Sequence, residues 1–310
     1  MIFALRGVMV SLAFFAILYS FLSVLLVLAW KCQHWSHFQL PVSHNVLFTL
    51  RVIPFVISAG VSLFLTLPSF LLFERHSLDE DLGTFVLSAC TILILGAGVY
   101  RVLSAEARTR RVVSACLEGA IALERDTLTP PVVLAKTAIP LMLVGIRVPQ
   151  VLISASARKF LSDEELRAAI RHEVAHSRSR DNLKKAVLNC LLFPGMASLE
   201  RAWQEASELA ADDRAVSSRD EALDLAAALI KLARHFPSPV MPELATGLVS
   251  EVGSVTSRVE RLMAWEESRN ANPAGWRCAL ALTLMAFFTL AAKLGTALVL
   301  VHSLTERLVP

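Results

Sequence analysis

The sequence is poor in charged residues, which limits the class of protein it can form. Of its 310 residues only 18% are charged, 55% are hydrophobic, and the mean hydropathy is +0.57. Soluble domains usually carry about 25% charged residues. The composition therefore excludes an ordinary soluble globular protein and indicates an integral membrane protein.

Two further absences narrow the function. The five cysteines are scattered and form no CxxC pair, which excludes a disulfide framework and a thiolate metal site. The net charge is only +3 and no block of basic residues occurs, so we expect no direct contact with nucleic acid.

Four apolar stretches are long enough to cross a bilayer as helices: residues 8–30, 52–73, 84–100 and 278–301. We expect Pro54 and Pro68 to kink the second span. Lys293 lies in the fourth, where we interpret it as facing the bundle or reaching the membrane surface. The spans divide the chain into a three-span membrane region (1–101), a large domain (102–275), and a last span with a short tail (276–310).

Basic residues flank these spans mainly on one side, which predicts the orientation of the chain. Arg6, Arg75 and Arg307 lie on the side with fewer basic residues, together with the acidic run 79–81. The side with more basic residues is therefore predicted to be cytoplasmic, with both termini outside and the large domain in the cytoplasm. The basic residues on this cytoplasmic side are Lys31, Arg51, Arg101, Arg108, Arg110, Arg111, Arg269 and Arg277.

The large domain contains the motif HExxH at His172, Glu173 and His176. Four residues return nearly to the same face of an α-helix about 6 Å further along its axis, so both imidazoles can bind one Zn²⁺. Glu173 follows His172 by about 100°, which places its carboxylate beside the ion. There it can take a proton from a water that the metal activates.

The flanking residues predict the helix that this chemistry requires. Ser162 and Glu165 form a capping box, and acidic residues occupy the first turn. Leu166, Ile170 and Val174 repeat every four residues and give the helix an apolar face.

A catalytic zinc usually takes a third protein ligand, and the sequence offers two candidates on a later helix. Glu208 lies 32 residues after His176 and is the favoured ligand, while Glu205 is the alternative. Asp212, four residues after Glu208, can accept a hydrogen bond from a ligating histidine. For stabilising an oxyanion, His235 and Arg214 are only candidates.

Residues before the motif predict two short strands, Leu141–Val144 and 148–153, joined by a turn at residues 145–147. Their edge could hold an extended peptide by main-chain hydrogen bonds, or the hairpin could simply cover the core. We weigh these two interpretations equally.

HEVAHSRSRDNL followed by ELAAD resembles the M56 peptidases, the family of the bacterial β-lactam-sensing receptors. PLMLVGIRVPQVLI, FLSDEELRAAIRHEVAH and SRVERLM are similar to the family's strand pair, its entry to the metal helix and its basic stretch before the last span. The receptors carry an extracellular penicillin-binding domain after that span. This sequence ends at Pro310, so we expect no sensor domain and carry over no β-lactam sensing.

The resemblance implies a mainly α protein with four transmembrane helices and a cytoplasmic α+β gluzincin-type zinc peptidase domain between spans three and four. It implies His172, His176 and Glu208 as Zn²⁺ ligands, Glu173 as the general base, and Asp212 as a residue that orients a ligand. It also implies a bacterial cell membrane location and a protein substrate, such as a cytosolic transcriptional repressor.

The sequence thus predicts a membrane zinc endopeptidase that cleaves a protein on the cytoplasmic side in signalling. Two alternatives stay open. The HExxH and ExxxD pair is shared with the M48 membrane peptidases, which suggests quality control of membrane proteins. A signalling scaffold that keeps the peptidase fold without catalysis is the other, although an intact Glu173 argues against it.

Overall fold

A computed structural model describes residues 2–35, 43–73, 82–123, 130–236, 242–248, 255–266 and 294–308. In this part the chain is mainly helical and carries one small mixed sheet. The helices are α1 (Ile2–Trp35), α2 (His44–Val61), α3 (Leu67–Phe73), α4 (Leu82–Leu117), α5 (Ala155–Phe160), α6 (Asp163–Ser179), α7 (Asp181–Cys190), α8 (Ala197–Ala215), α9 (Arg219–His235), α10 (Val255–Met263) and α11 (Leu294–Leu308). The strands are β1 (Ile121–Leu123), β2 (Val132–Ala135), β3 (Leu141–Val144), β4 (Gln150–Ser154) and β5 (Ala245–Thr246).

Three helical stretches are long and apolar enough to cross a membrane: Phe3–Cys32, His44–Phe73 and Leu82–Leu117. They contain the first three predicted spans, each within a longer helix. The fourth predicted span lies mostly outside the described residues, as does Lys293, and its last eight residues begin α11. The structure therefore contains three candidate membrane helices, and the fourth span stays a prediction.

The second of these stretches departs from a regular α-helix next to one of its two prolines. Pro54 lies inside α2, whereas Pro68 follows a π-helical turn, Ser62–Thr66, that joins α2 to α3. Proline has no N–H to donate to the carbonyl four residues earlier, and an irregular turn accommodates that loss.

The sheet has the strand order β1-β2-β4-β3-β5, with β2 and β4 parallel and the other pairs antiparallel. The predicted hairpin is confirmed, although its second strand begins at Gln150 because exposed Val148 lies in the turn. Gly145 has a φ of +92°, and a Cβ there would collide with the carbonyl oxygen of Val148. The turn therefore requires glycine.

The outer edge of β3 is partly paired within the chain. β5 pairs with Leu143 and Val144 of β3. Two residues of β3 are therefore already covered on the edge that was considered for an extended peptide.

Helix α6 is fixed against the sheet and against α8 and α9. Its Leu166 and Val174 are buried, and the apolar residues of α9, Leu225, Leu229 and Leu232, are fully buried in the same core as the sheet. Each fully buried leucine contributes about 1.5–3 kcal/mol. The metal-motif helix thus lies on a packed core that holds its position.

The membrane helices contact the elements that flank the motif helix. Arg51 of α2 is 1% exposed, forms a 2.9 Å ion pair with Glu200 of α8, and donates to the carbonyl of Leu191. Trp203 of α8 is buried beside Phe48 of α2. The helix thus begins before the predicted span (52–73), and Arg51, the basic residue predicted to flank that span, lies within α2 and contacts the large domain.

Helix α4 also lies in close contact with α7. A Cβ at Gly98 would collide with the carbonyl oxygen of Cys190, so only glycine permits this distance between the two backbones. Helices α7 and α8 therefore both rest on membrane helices.

Candidate metal centre

The motif helix begins as its capping residues predict. The Ser162 hydroxyl accepts from the Glu165 N–H at 3.2 Å, and the Glu165 carboxylate accepts from the Ser162 N–H at 2.9 Å. This capping box, with three acidic residues in the first turn, fixes the first residue of α6 and thereby the direction of its later side chains.

Two imidazoles and a carboxylate converge at the centre of the domain. His172 and His176 of α6 are completely buried, and their Nε2 atoms lie 3.1 Å apart. Glu208 of α8 places one oxygen 3.5 Å from His172 Nε2 and the other 3.6 Å from His176 Nε2. Ligand atoms on a tetrahedral zinc ion lie about 3.4 Å from one another. The three side chains therefore fit one such ion.

A carboxylate lies beside Nδ1 of each histidine. Nδ1 of His172 lies 2.9 Å from Asp212 Oδ1, and Nδ1 of His176 lies 2.8 Å from Asp181 Oδ2. An Nδ1–H directed at a carboxylate leaves the lone pair of Nε2 available to a metal. The structure places Asp212 beside His172, and it places Asp181, which the sequence analysis missed, in the same way beside His176.

Asp181 reaches His176 because the chain turns sharply after α6. Arg180 has the left-handed conformation (φ 55°) and alone separates α6 from α7. The Asp181 carboxylate also accepts from Ser207 of α8 at 2.9 Å and from Lys184 at 3.3 Å. These bonds, with the nearby His176, lower its pKa to about 2 although burial alone would raise it.

Glu173 has the features expected of a carboxylate that accepts a proton. It is completely buried, and neither carboxylate oxygen has a hydrogen-bond partner among the described residues. A buried unpaired carboxylate is costly, and native structures keep one where function requires it. Burial raises the pKa of Glu173, which suits a general base.

Lys185 supplies a cation whose charge acts on Glu173 and Glu208. Its ammonium donates to the carbonyl of Ala245 in β5 at 2.6 Å. Burial lowers the pKa of Lys185. The sequence analysis did not single out this lysine.

The ligand set carries opposed charges in its metal-free state. Burial would lower the pKa of His172, but Asp212 and Glu208 outweigh burial and raise it to about 9. Burial would raise the pKa of Glu208, but Arg258 and the two histidines lower it to about 2. A metal ion must therefore compete with a proton for His172.

The other residues predicted for the site lie elsewhere. Glu205 is exposed on α8, so Glu208 is the acid that joins the histidines. His235 stacks on Phe160 with ring centroids 4.1 Å apart, and Arg214 is exposed and donates to Ser179. Neither of these two oxyanion candidates is part of the cluster.

Two histidines from HExxH, a glutamate from a following helix and an unpaired glutamate between them form the site arrangement of HExxH metallopeptidases. A protein-family model described as BlaR1 peptidase M56 matches residues 86–262, from the third membrane helix to α10. This is more than half of the chain, and the chain belongs to the M56 peptidase family. No match was found among curated proteins.

Proposed function

We propose that the protein is a membrane zinc endopeptidase. The observation that carries this proposal is the buried His172, His176 and Glu208 cluster, whose three ligand atoms lie within 4.8 Å of one another, beside an unpaired Glu173. Membership of a peptidase family and three helices apolar enough to span a membrane support it. Nitrogen and carboxylate ligands without thiolates suit zinc.

The residues of the cluster divide the work of peptide hydrolysis. His172, His176 and Glu208 hold the ion, which when bound lowers the pKa of a water and polarises the scissile carbonyl. Glu173 accepts the proton of the attacking water and delivers it to the leaving amine. Asp181 and Asp212 keep the two imidazoles in the tautomer that binds metal.

We further propose that the domain spanning 102–275 faces the cytoplasm, between a three-span region (1–101) and a fourth span (276–310). Its substrate would be a protein, with a cytosolic transcriptional repressor as the candidate, and the membrane a bacterial cell membrane. The bias of basic residues in the loops and the resemblance to signalling receptors support this assignment.

Metal content tests the proposal directly. The full-length protein, purified in detergent without chelator, should contain about one zinc per chain, since the three ligand side chains already converge. A chelator should remove the zinc and stop any cleavage, and added zinc should restore both. A folded protein that takes up no zinc under these conditions would contradict the proposal.

Reporter fusions test the orientation. A reporter fused after Arg111 should read as cytoplasmic and one fused after Pro310 as external, because lysine and arginine bias short loops toward the cytoplasm. An external signal after Arg111 would place the metal centre outside. A cytosolic repressor could then not be its substrate, although the peptidase assignment would stand.

A further inference from the structure

A single buried arginine contacts both acidic residues that α8 contributes to the metal centre. Arg258 of α10 is 3% exposed and donates to Asp212 twice, from Nε to Oδ2 at 2.8 Å and from Nη2 to Oδ1 at 2.6 Å. Its Nη1 donates to the Leu248 carbonyl at 2.9 Å and lies 3.0 Å from Glu208 Oε2. Two carboxylates of the site therefore share one guanidinium.

Arg258 contacts one of the two carboxylate oxygens of Glu208. Oε2 faces Arg258 and makes no hydrogen bond among the described residues, so its stabilisation there is mainly electrostatic. The same Oε2 lies 3.5 Å from His172 Nε2, and Oε1 lies 3.6 Å from His176 Nε2. Arg258 thus restricts the rotation of the Glu208 carboxylate.

The contact with Asp212 affects a second proposed metal ligand, His172. Asp212 Oδ1 accepts from Arg258 and also lies 2.9 Å from His172 Nδ1, so the arginine fixes the group that orients His172. A planar guanidinium can bond a carboxylate through two parallel N–H groups, which a lysine ammonium cannot do. Without this cation, two desolvated carboxylates one helical turn apart would repel each other.

We propose that Arg258 is a positioning residue of the metal centre, which holds Glu208 and Asp212 in the arrangement that binds the ion. This inference rests on the proposed zinc site and adds to it a residue from a separate element. Because α10 carries Arg258, the site is complete only when α10, which packs on α9, extends this side chain to α8. A merely structural ion pair between the two helices is the competing explanation.

The same two helices provide a matched control. Arg261 of α10 pairs with Asp213 of α8 at 2.7 Å, one residue along from Asp212. Their side chains are 31% and 47% exposed, and they do not contact the His–Glu cluster among the described contacts. An exposed pair of this kind contributes little to stability. Arg261→Met therefore removes an α10–α8 ion pair without removing a contact of the centre.

The test is zinc affinity of the full-length protein in detergent, measured by competition with a chromophoric chelator well below the unfolding temperature. Arg258→Met should weaken zinc binding by about 10–100-fold, as expected for loss of a partner that orients metal ligands. Arg261→Met should bind as wild type does. Co²⁺ in place of Zn²⁺ should give an altered visible spectrum only in Arg258→Met.

A double variant tests whether Arg258 affects zinc binding through Asp212. If Arg258 acts through Asp212, Arg258→Met combined with Asp212→Asn should lose little more affinity than the more damaging single change. Wild-type zinc affinity in Arg258→Met, or an equal loss in Arg261→Met, would overturn the proposal, and fully additive losses in the double variant would overturn its claim that Arg258 acts through Asp212.

Two outcomes need separate treatment. If Arg258→Met does not fold, Arg258→Lys decides: weaker zinc binding than in Arg261→Lys supports positioning, and wild-type affinity overturns it. If the wild-type protein itself binds no zinc, the proposed function is refuted. If the wild type binds zinc and the Arg258 variants bind it with the same affinity, only the inference about Arg258 is refuted.

Discussion

Replacing Glu173 by glutamine should lower cleavage by about 10²–10⁴-fold, the usual cost of losing a general base, while zinc binding persists. Glutamine keeps the size of the side chain, but its amide cannot accept the proton of the attacking water. Zinc should remain because Glu173 is not one of the three converging ligands. The uncharged amide also removes an unpaired carboxylate from a buried position, so the folded protein should not lose stability.

The assay needs no known substrate. Wild type, Glu173→Gln and Glu205→Gln are purified at high concentration, and zinc-dependent fragments of the protein itself are followed over time. Glu205→Gln makes the same chemical change at an exposed position of α8 and should behave as wild type.

The same variants test the biological role in cells. If Glu173→Gln restores the phenotype of a deletion strain as fully as wild type, catalysis is not the function that matters. A non-catalytic signalling role would then replace the peptidase proposal.

The metal helix could be predicted because its determinants are local. The Ser162–Glu165 capping box and the Leu166 and Val174 positions all lie within one helix, and the structure confirms the box and the burial. The HExxH spacing likewise depends only on helical geometry.

The residues that sequence analysis missed depend on contacts between distant elements. Asp181 meets His176 only because Arg180 adopts a left-handed conformation, which is uncommon for arginine and has no sequence signature. Arg258 meets Asp212 across 46 positions of the chain. An aspartate directly after the motif helix, five residues beyond its second histidine, was the one available signal for Asp181.

The small strands were missed for a related reason. β1, β2 and β5 contain two to four residues each, too few to show an alternating pattern, and β5 forms only because β3 offers an edge. The partners of Arg51 were missed for the same reason as Asp181 and Arg258, because Glu200 and the Leu191 carbonyl lie about 140 to 149 positions away in the chain.

The choice between Glu208 and Glu205 shows what tertiary packing adds. The two acids lie three residues apart on α8, about 60° around the helix axis, so helical spacing alone does not exclude either. Burial separates them, because Glu208 is 6% exposed within the cluster and Glu205 is exposed.

Replacing Glu208 by alanine should therefore weaken zinc binding by more than the roughly 100-fold upper range for loss of an outer hydrogen-bond partner. His176→Ala should do the same, since each change removes one of three protein ligands. Glu205→Ala on the same helix should retain one zinc per chain.

Zinc content after dialysis and competition with a chelator measure all three variants, and thermal unfolding checks that each is folded. Full zinc in Glu208→Ala together with loss in Glu205→Ala would show that the ligand assignment is wrong. Loss in both would mean that α8 tolerates no change, and Glu208→Gln would then decide. That variant keeps the shape of the side chain but removes the negative charge that the ion requires, so it should still lose the metal.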